Sequence, residues 1–334
     1  MNTLREMIEK INMETNFSGE LRFNEPMAAH TTFNVGGPAD LWVKPGEDFF
    51  PRYTAVLLKE ARSYGIPVFI LGGGANIVVA DRGIRGIVLD TSGWMGWSVL
   101  PPGKGKRQDG DWICMGIRSG TTVDAAAEAA AGLGLGGLEF LAGMPGSVGG
   151  AVWMNARCYE RSVSDILVQT EFLDAAYILR EIPFRAEDFA YKKSPFQDMP
   201  GLILSAQFRL APRDREDIRG EMEKHRQDRE RKGHYRYPSA GSVFKNNREF
   251  GKPTGKIIDE LGLRGLRQGG ATVADYHGNI IINTGNATAA DIRGLVETVG
   301  DRVYTALGIR LEPEILFVGD WDGYEGIPTR DVLS

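Results

Sequence analysis

The chain has 334 residues, 42% hydrophobic and 25% charged, with a formal net charge of −5. That mix belongs to a globular protein of about two domains; it excludes a largely disordered chain and a globally basic surface for nucleic acid or anionic lipid. Two cysteines and four scattered histidines exclude a disulfide framework and a recognisable metal-ligand spacing, so no metal is expected. No apolar run reaches the ~18 residues of a membrane span. The opening MNTLREMIEKINMETNF reads as an amphipathic helix without a signal-peptide core, so a cytoplasmic protein is expected. Glycine is the outlier at 43 residues. Its GG and GGG runs have no collagen period and point to close backbone approach.

In chain order, GPADLWVKP (37–45) reads as a strand and 49–65 as a helix. The run Val68-Phe69-Ile70-Leu71 is a buried strand stopped by three glycines, followed by short strands at 77–79 and 86–89. Residues 98–118 read as a hairpin with a long polar tip, PPGKGKRQDGD. The alanine-rich stretch 121–132 is a helix with Thr121 as its cap, Asp124 three residues on and Gly132 at its end. Strands follow at 166–174 and 202–210, then a charged helix near 214–231. Residues 213–236 hold nine Lys/Arg and seven Asp/Glu, which reads as a solvated helix. The change of composition at APRDRE (211–216) places a domain boundary there. Beyond it come a helix near 253–262 and a hairpin, VADYHGNIIIN. A helix over 289–307 has Thr288 and Asp291 at capping-box spacing and Gly308 at its end. The strand IRLEPEILFVG closes the fold, and the tail after 320 has no pattern.

The match of GLGLGG (132–137) to a dinucleotide fingerprint is rejected, because these glycines follow a helix rather than a strand. Gly72-Gly73-Gly74-Ala75-Asn76 does follow a buried strand, and such a turn can present backbone N–H groups to a diphosphate. Met144-Pro145-Gly146-Ser147-Val148-Gly149-Gly150 is a second loop of small residues. Two such loops could clasp one diphosphate. In PSAGSVFKN (238–246) small residues expose Ser242, which could donate a proton, bind an anion or only make a turn. Glu312 and Glu314 share a face of the last strand, and Pro313 marks an edge.

Seven runs occur in order: HTTFNVGGPADLWVKP, LGGGANIVVADRGIRGIVLD, GLEFLAGMPGSVGGAVWMNA, YKKS, PSAGSVFKN, GLRGLRQGGATVADYHGNIIIN and LEPEILFVG. Together, over about residues 20–320, they resemble the UDP-N-acetylenolpyruvoylglucosamine reductases, the MurB family. The resemblance implies an α+β flavoprotein. Residues 1–212 would form an FAD-binding region of the vanillyl-alcohol-oxidase (PCMH) type, in two lobes. Residues 213–320 would form a substrate-binding α+β domain, and 321–334 a tail. It implies FAD as cofactor, NADPH as co-substrate and a UDP-sugar enolpyruvyl ether as substrate. A hydride would pass from the reduced flavin to the vinyl terminus, and protonation of an enol would give UDP-N-acetylmuramate. Carried onto matching positions, Ser242 would be the proton donor, Glu314 a catalytic glutamate and Lys192 the charge that steadies the developing anion. Gly72, Gly73, Gly74, Ala75, Asn76 and Ile77, with Pro145, Gly146, Ser147, Gly149 and Gly150, would hold the flavin diphosphate. Tyr191, Lys245 and Asn246 would face the substrate.

Three departures stand out. The family's Tyr-Arg-x-Ser is Tyr191-Lys192-Lys193-Ser194 here, which keeps the charge and loses the guanidinium fork. Its usual NAGAYG is Asn155-Ala156-Arg157-Cys158-Tyr159-Glu160, with Arg157 expected to point to solvent. The stretch between YKKS and PSAGS is short, as in the subfamily without a tyrosine-bearing insertion. The rival readings are an FAD-linked oxidase of the same flavin fold and a non-catalytic flavin- or nucleotide-binding relative.

Overall fold

The computed structural model describes residues 2–100 and 112–321; the hairpin tip and the tail beyond Trp321 lie outside them. Strand 19–26 pairs antiparallel with 38–45, which runs parallel to 84–90, and that strand is in turn parallel to 68–71. Helices α1 (Asn2–Thr15) and α2 (Phe50–Ser63) cover one face through Met7, Ile11, Tyr53 and Leu57. Met27, Val79 and Val318 cover the other. Coverage on both faces explains why 84–90 is buried almost throughout, with Ile87-Val88-Leu89 an unbroken apolar run, rather than alternately.

A second, antiparallel sheet follows the order 179–183, 167–174, 201–212, 113–118, 97–99. Its core takes in α3 (Val123–Gly132) and α4 (Val148–Trp153). The small faces of Ala126, Ala127, Ala130 and Ala131 let α3 lie close to the sheet. The cap of α3 is Thr122, whose hydroxyl accepts from the Ala125 amide at 3.2 Å. The expected cap, Thr121, instead accepts from the Gly96 amide. The helix begins one residue later because Thr121 is tied back to the start of the hairpin.

Helix α5 (Arg215–Arg231) is capped by Asp214. It buries Ile218 and Met222 in the core of the second sheet, while Arg213 pairs with the fully buried Glu139 at 2.8 Å. A third core joins α6 (Thr254–Glu260), α7 (Ala289–Leu307) and a small sheet of 267–268, 271–273 and 281–283. The capping box of α7 forms as its residues dictate, and Gly308 ends it at φ 69°. The Asp81 carboxylate accepts from the Ala289 and Ala290 amides at 2.8 and 2.9 Å, satisfying two donors at a helix start.

Regular pairing in the closing strand is confined to Leu316–Val318, parallel to 77–79. Residues before it are extended, with Pro313 opposite Phe244; proline has no N–H to continue a ladder. Phe33, Val35 and Val78 thereby share a core with Val243, Phe244 and Phe317. The segment 313–318 returns to the first part of the chain, and a cavity opens along that seam. No helix among the described residues is long and apolar enough to cross a membrane.

Candidate active site

The two glycine loops lie against each other. A Cβ on Gly73 would stand 2.6 Å from the Gly146 Cα, and one on Gly72 would stand 2.6 Å from the Ser147 hydroxyl. A Cβ on Gly149 would meet that of Ser119 at 2.8 Å. Glycine is therefore required here for loop-on-loop packing, before any ligand is considered. Among the described residues, the amides of Gly73, Gly74, Ala75 and Ser147 have no acceptor in the protein. Backbone donors left unpaired beside a cavity suit an anionic ligand.

That cavity has a volume of about 1450 Å³. The residues proposed for the site line it: both loops apart from Val148, which is buried in the core, with Tyr191, Lys192, Ser242, Lys245, Asn246 and Glu314. Seven lysine and arginine side chains face it against three glutamates, a local excess of positive charge in an acidic protein. This arrangement draws polyanions.

The Lys192 ammonium lies 2.5 Å from the Glu314 carboxylate, both side chains being close to nine-tenths buried. Lys192 sits at φ 57°, in the turn that closes by Ala190 and Lys193 exchanging two backbone bonds of 3.1 Å. Glu314 is placed by its own backbone: its amide donates to Val243 and its carbonyl accepts from the Asn76 side chain. One residue of a glycine loop thus fixes the segment bearing the acid. The Ser242 segment is held from behind by Asn279, which receives the Phe244 amide and donates to the Phe244 carbonyl. Lys245 pairs with Glu312 at 2.5 Å. Asn246 caps α6 through the Thr254 amide, and its own amide meets the Tyr191 hydroxyl at 3.4 Å. The two glutamates of the closing segment are therefore each engaged by a different lysine.

Arg157 does not point to solvent. It is half-buried on the cavity wall, bonded to Glu160 at 2.7 Å and to the Ser162 hydroxyl at 3.4 Å. The left-handed turn at Tyr159 and Glu160 folds 157–158 back onto 161–162 and brings Glu160 to it. Tyr159, also on the wall, stacks on His225 and donates to Asp228. Bonding to Lys232 leads the causes that hold the Asp228 carboxyl at about 2, against the opposing effect of its burial.

Arg229 was missed in the sequence. It is buried, lines the cavity and donates to the Cys158 sulfur at 3.2 Å. The solvated-helix reading of α5 fails at this residue. The signal was legible, because Ile218, Met222, His225 and Arg229 follow one another at helical spacing on a single face.

Residues 233–318 match the family model described as the UDP-N-acetylenolpyruvoylglucosamine reductase C-terminal domain. Residues 54–176 match an FAD binding domain, as the flavoprotein fold expected from the motifs requires. The chain is 38% identical to a UDP-N-acetylenolpyruvoylglucosamine reductase of Treponema denticola, over 91% of this chain and 95% of that one. It is also 38% identical to a reductase of the same name from Borreliella burgdorferi, over 95% and 98%. The fold superimposes on the crystal structure of the reductase (MurB) from Thermus caldophilus with a TM-score of 0.70 at 31% identity, covering 90% of this chain and 99% of that one. With its cavity built from the motifs of both matched regions, the chain belongs to the UDP-N-acetylenolpyruvoylglucosamine reductase family.

Proposed function

We propose that this protein reduces the enolpyruvyl ether of UDP-N-acetylglucosamine to UDP-N-acetylmuramate, with FAD as cofactor and NADPH as hydride source. This is a cytoplasmic step in the synthesis of peptidoglycan precursors. Residues 1–212 hold the flavin and residues 213–320 receive the sugar nucleotide. One observation supports this reading above the others: the Ser242 residue, the Lys192–Glu314 pair and the two glycine loops line a single cavity. An FAD-linked oxidase would have no use for the reductase-type domain matched over 233–318.

The residues present fit a flavin diphosphate. The loops Gly72–Ile77 and Pro145–Gly150 offer unpaired amides on the cavity wall, and no carboxylate side chain belongs to either loop. When bound, the flavin supplies hydride chemistry, taking a hydride from NADPH and giving one to the enolpyruvyl double bond.

The protein's own groups do the rest. The Lys192 ammonium offers positive charge to the substrate carboxylate, where negative charge grows as the double bond is reduced. Glu314 fixes the direction of that ammonium. The Ser242 hydroxyl gives its proton to the substrate carbon; a free serine is a poor acid, so the step needs neighbouring positive charge or a proton relay from solvent to hold and reprotonate the alkoxide. Lys245, Tyr191 and Asn246 bind the nucleotide end.

The test is stopped-flow absorbance of the holoenzyme. NADPH should bleach the flavin, and the UDP-enolpyruvyl sugar should restore its colour while gaining two hydrogens by mass. Bleaching without substrate-dependent recovery would refute the proposal.

A further inference from the structure

The Lys192 backbone is held in a conformation that residues other than glycine rarely adopt. Local geometry of this kind persists only where the surroundings impose it. Beside the Ala190–Lys193 pairing that closes the turn, the side chain of Gln197 supplies a direct hold on Lys192 itself. Its amide nitrogen donates to the Lys192 carbonyl at 3.0 Å and to the Trp153 carbonyl at 3.0 Å. Two carbonyl oxygens at one atom identify that atom as the nitrogen, since an amide oxygen has nothing to offer them. Trp153 ends α4, the short helix that begins at the second glycine loop with Ser147 as its cap. Its carbonyl is one of those a helix end leaves without an intrahelical partner, and it also accepts from the Ser194 hydroxyl at 2.6 Å. On the other side of the turn, Asn155 donates to the Ala190 carbonyl at 2.8 Å.

We infer that Gln197 is a positioning residue for the reaction: it ties the backbone of Lys192 to the end of α4 and so aims the Lys192 ammonium at Glu314 and the substrate carboxylate. The inference rests on the role proposed for Lys192. An arginine's fork finds a carboxylate through two parallel bonds, whereas a lysine ammonium is a single point of charge on a flexible stem. A lysine at this position depends more on where its backbone is held. Without the Gln197 bond, the turn keeps its Ala190–Lys193 pairing but loses the tie between the Lys192 carbonyl and the end of α4, and the ammonium is aimed less firmly.

The test uses flavin-loaded full-length protein and follows the two half-reactions separately. Gln197→Met keeps the side chain's length and removes its donor. It should slow flavin reoxidation by the enolpyruvyl substrate by roughly 10- to 100-fold, the scale of a misplaced group. Flavin content and reduction by NADPH should stay near wild type. Gln197→Lys, which restores a donor, should recover most of the loss. In a Lys192→Met background, Gln197→Met should add less than about twofold, because residues acting through one another are not additive. A full-sized loss in that background, or the same loss in both half-reactions, would make Gln197 a merely structural residue and overturn the inference. So would wild-type reoxidation by Gln197→Met while Lys192→Met is impaired. Wild-type reoxidation by Lys192→Met would instead remove the role proposed for Lys192.

Discussion

The Lys192 ammonium meets the Glu314 carboxylate at 2.5 Å, with both side chains largely withdrawn from water. This contact joins the turn between strands 179–183 and 201–212 of the second sheet to the segment that returns from the C-terminal domain. It places the chain's departure from its family's arginine in the same cavity as the proposed proton donor. A point charge replaces a fork there, and the pairing shows that the shorter cation still reaches the acid.

Lys192→Ala removes that charge. Stabilisation of a developing anion in a shielded site is worth ~10²–10³ in rate. Substrate-dependent reoxidation of the reduced flavin should fall by about that factor, while Lys192→Arg should keep or exceed the wild-type rate. Stopped-flow traces of the two variants decide the matter, and undiminished turnover in Lys192→Ala would pass the role to another cation of the cavity.

A valine at Gly73 would drive its Cβ into the Gly146 backbone, and one at Gly149 into Ser119. Either strains the seat between the loops. Gly73→Val and Gly149→Val should accumulate as folded protein with little flavin, measured as visible absorbance per polypeptide. Full occupancy in both would mean that the loops do not carry the diphosphate.

Burial pushes His234 down from 6.5 to about 4, and Arg229, His277 and Lys232 push the same way. Below 6.5 the unfolded chain takes up a proton that the folded chain refuses until about 4. Stability is therefore complete above that window and drains away as pH falls through it, by on the order of 3 kcal/mol for this group. Urea midpoints between pH 7 and pH 4 should fall less steeply for His234→Asn than for wild type. Parallel curves would show that His234 does not titrate in this way.

Much of this architecture was legible because its signals are local. Thr288, Asp291 and Gly308 delimit α7 at both ends, and the strand 68–71 stops where the glycines begin. The strand 19–26 gave no such signal: GELRFNEP pairs on one side only, and its burial alternates weakly. The inward turn of Arg229 is written in the helical spacing of Ile218, Met222, His225 and Arg229, although the composition of α5 alone reads as a solvated helix. The lysine partners of Glu312 and Glu314 come from distant segments that only the closed fold brings together. Glu312 stays largely exposed, as an acid at a strand edge does, and only Glu314 is withdrawn from water by its tertiary pairing.

In the proposed reaction Ser242 delivers a proton to the substrate carbon next to the one that receives the hydride. The direct measurement compares the two half-reactions of Ser242→Ala at the same flavin occupancy as wild type. Reduction by NADPH requires no proton at that carbon and should remain close to wild type, while reoxidation by the enolpyruvyl substrate should slow by ~10²-fold or more. Reoxidation at the wild-type rate, or an equal loss in both halves, would contradict the role proposed for Ser242.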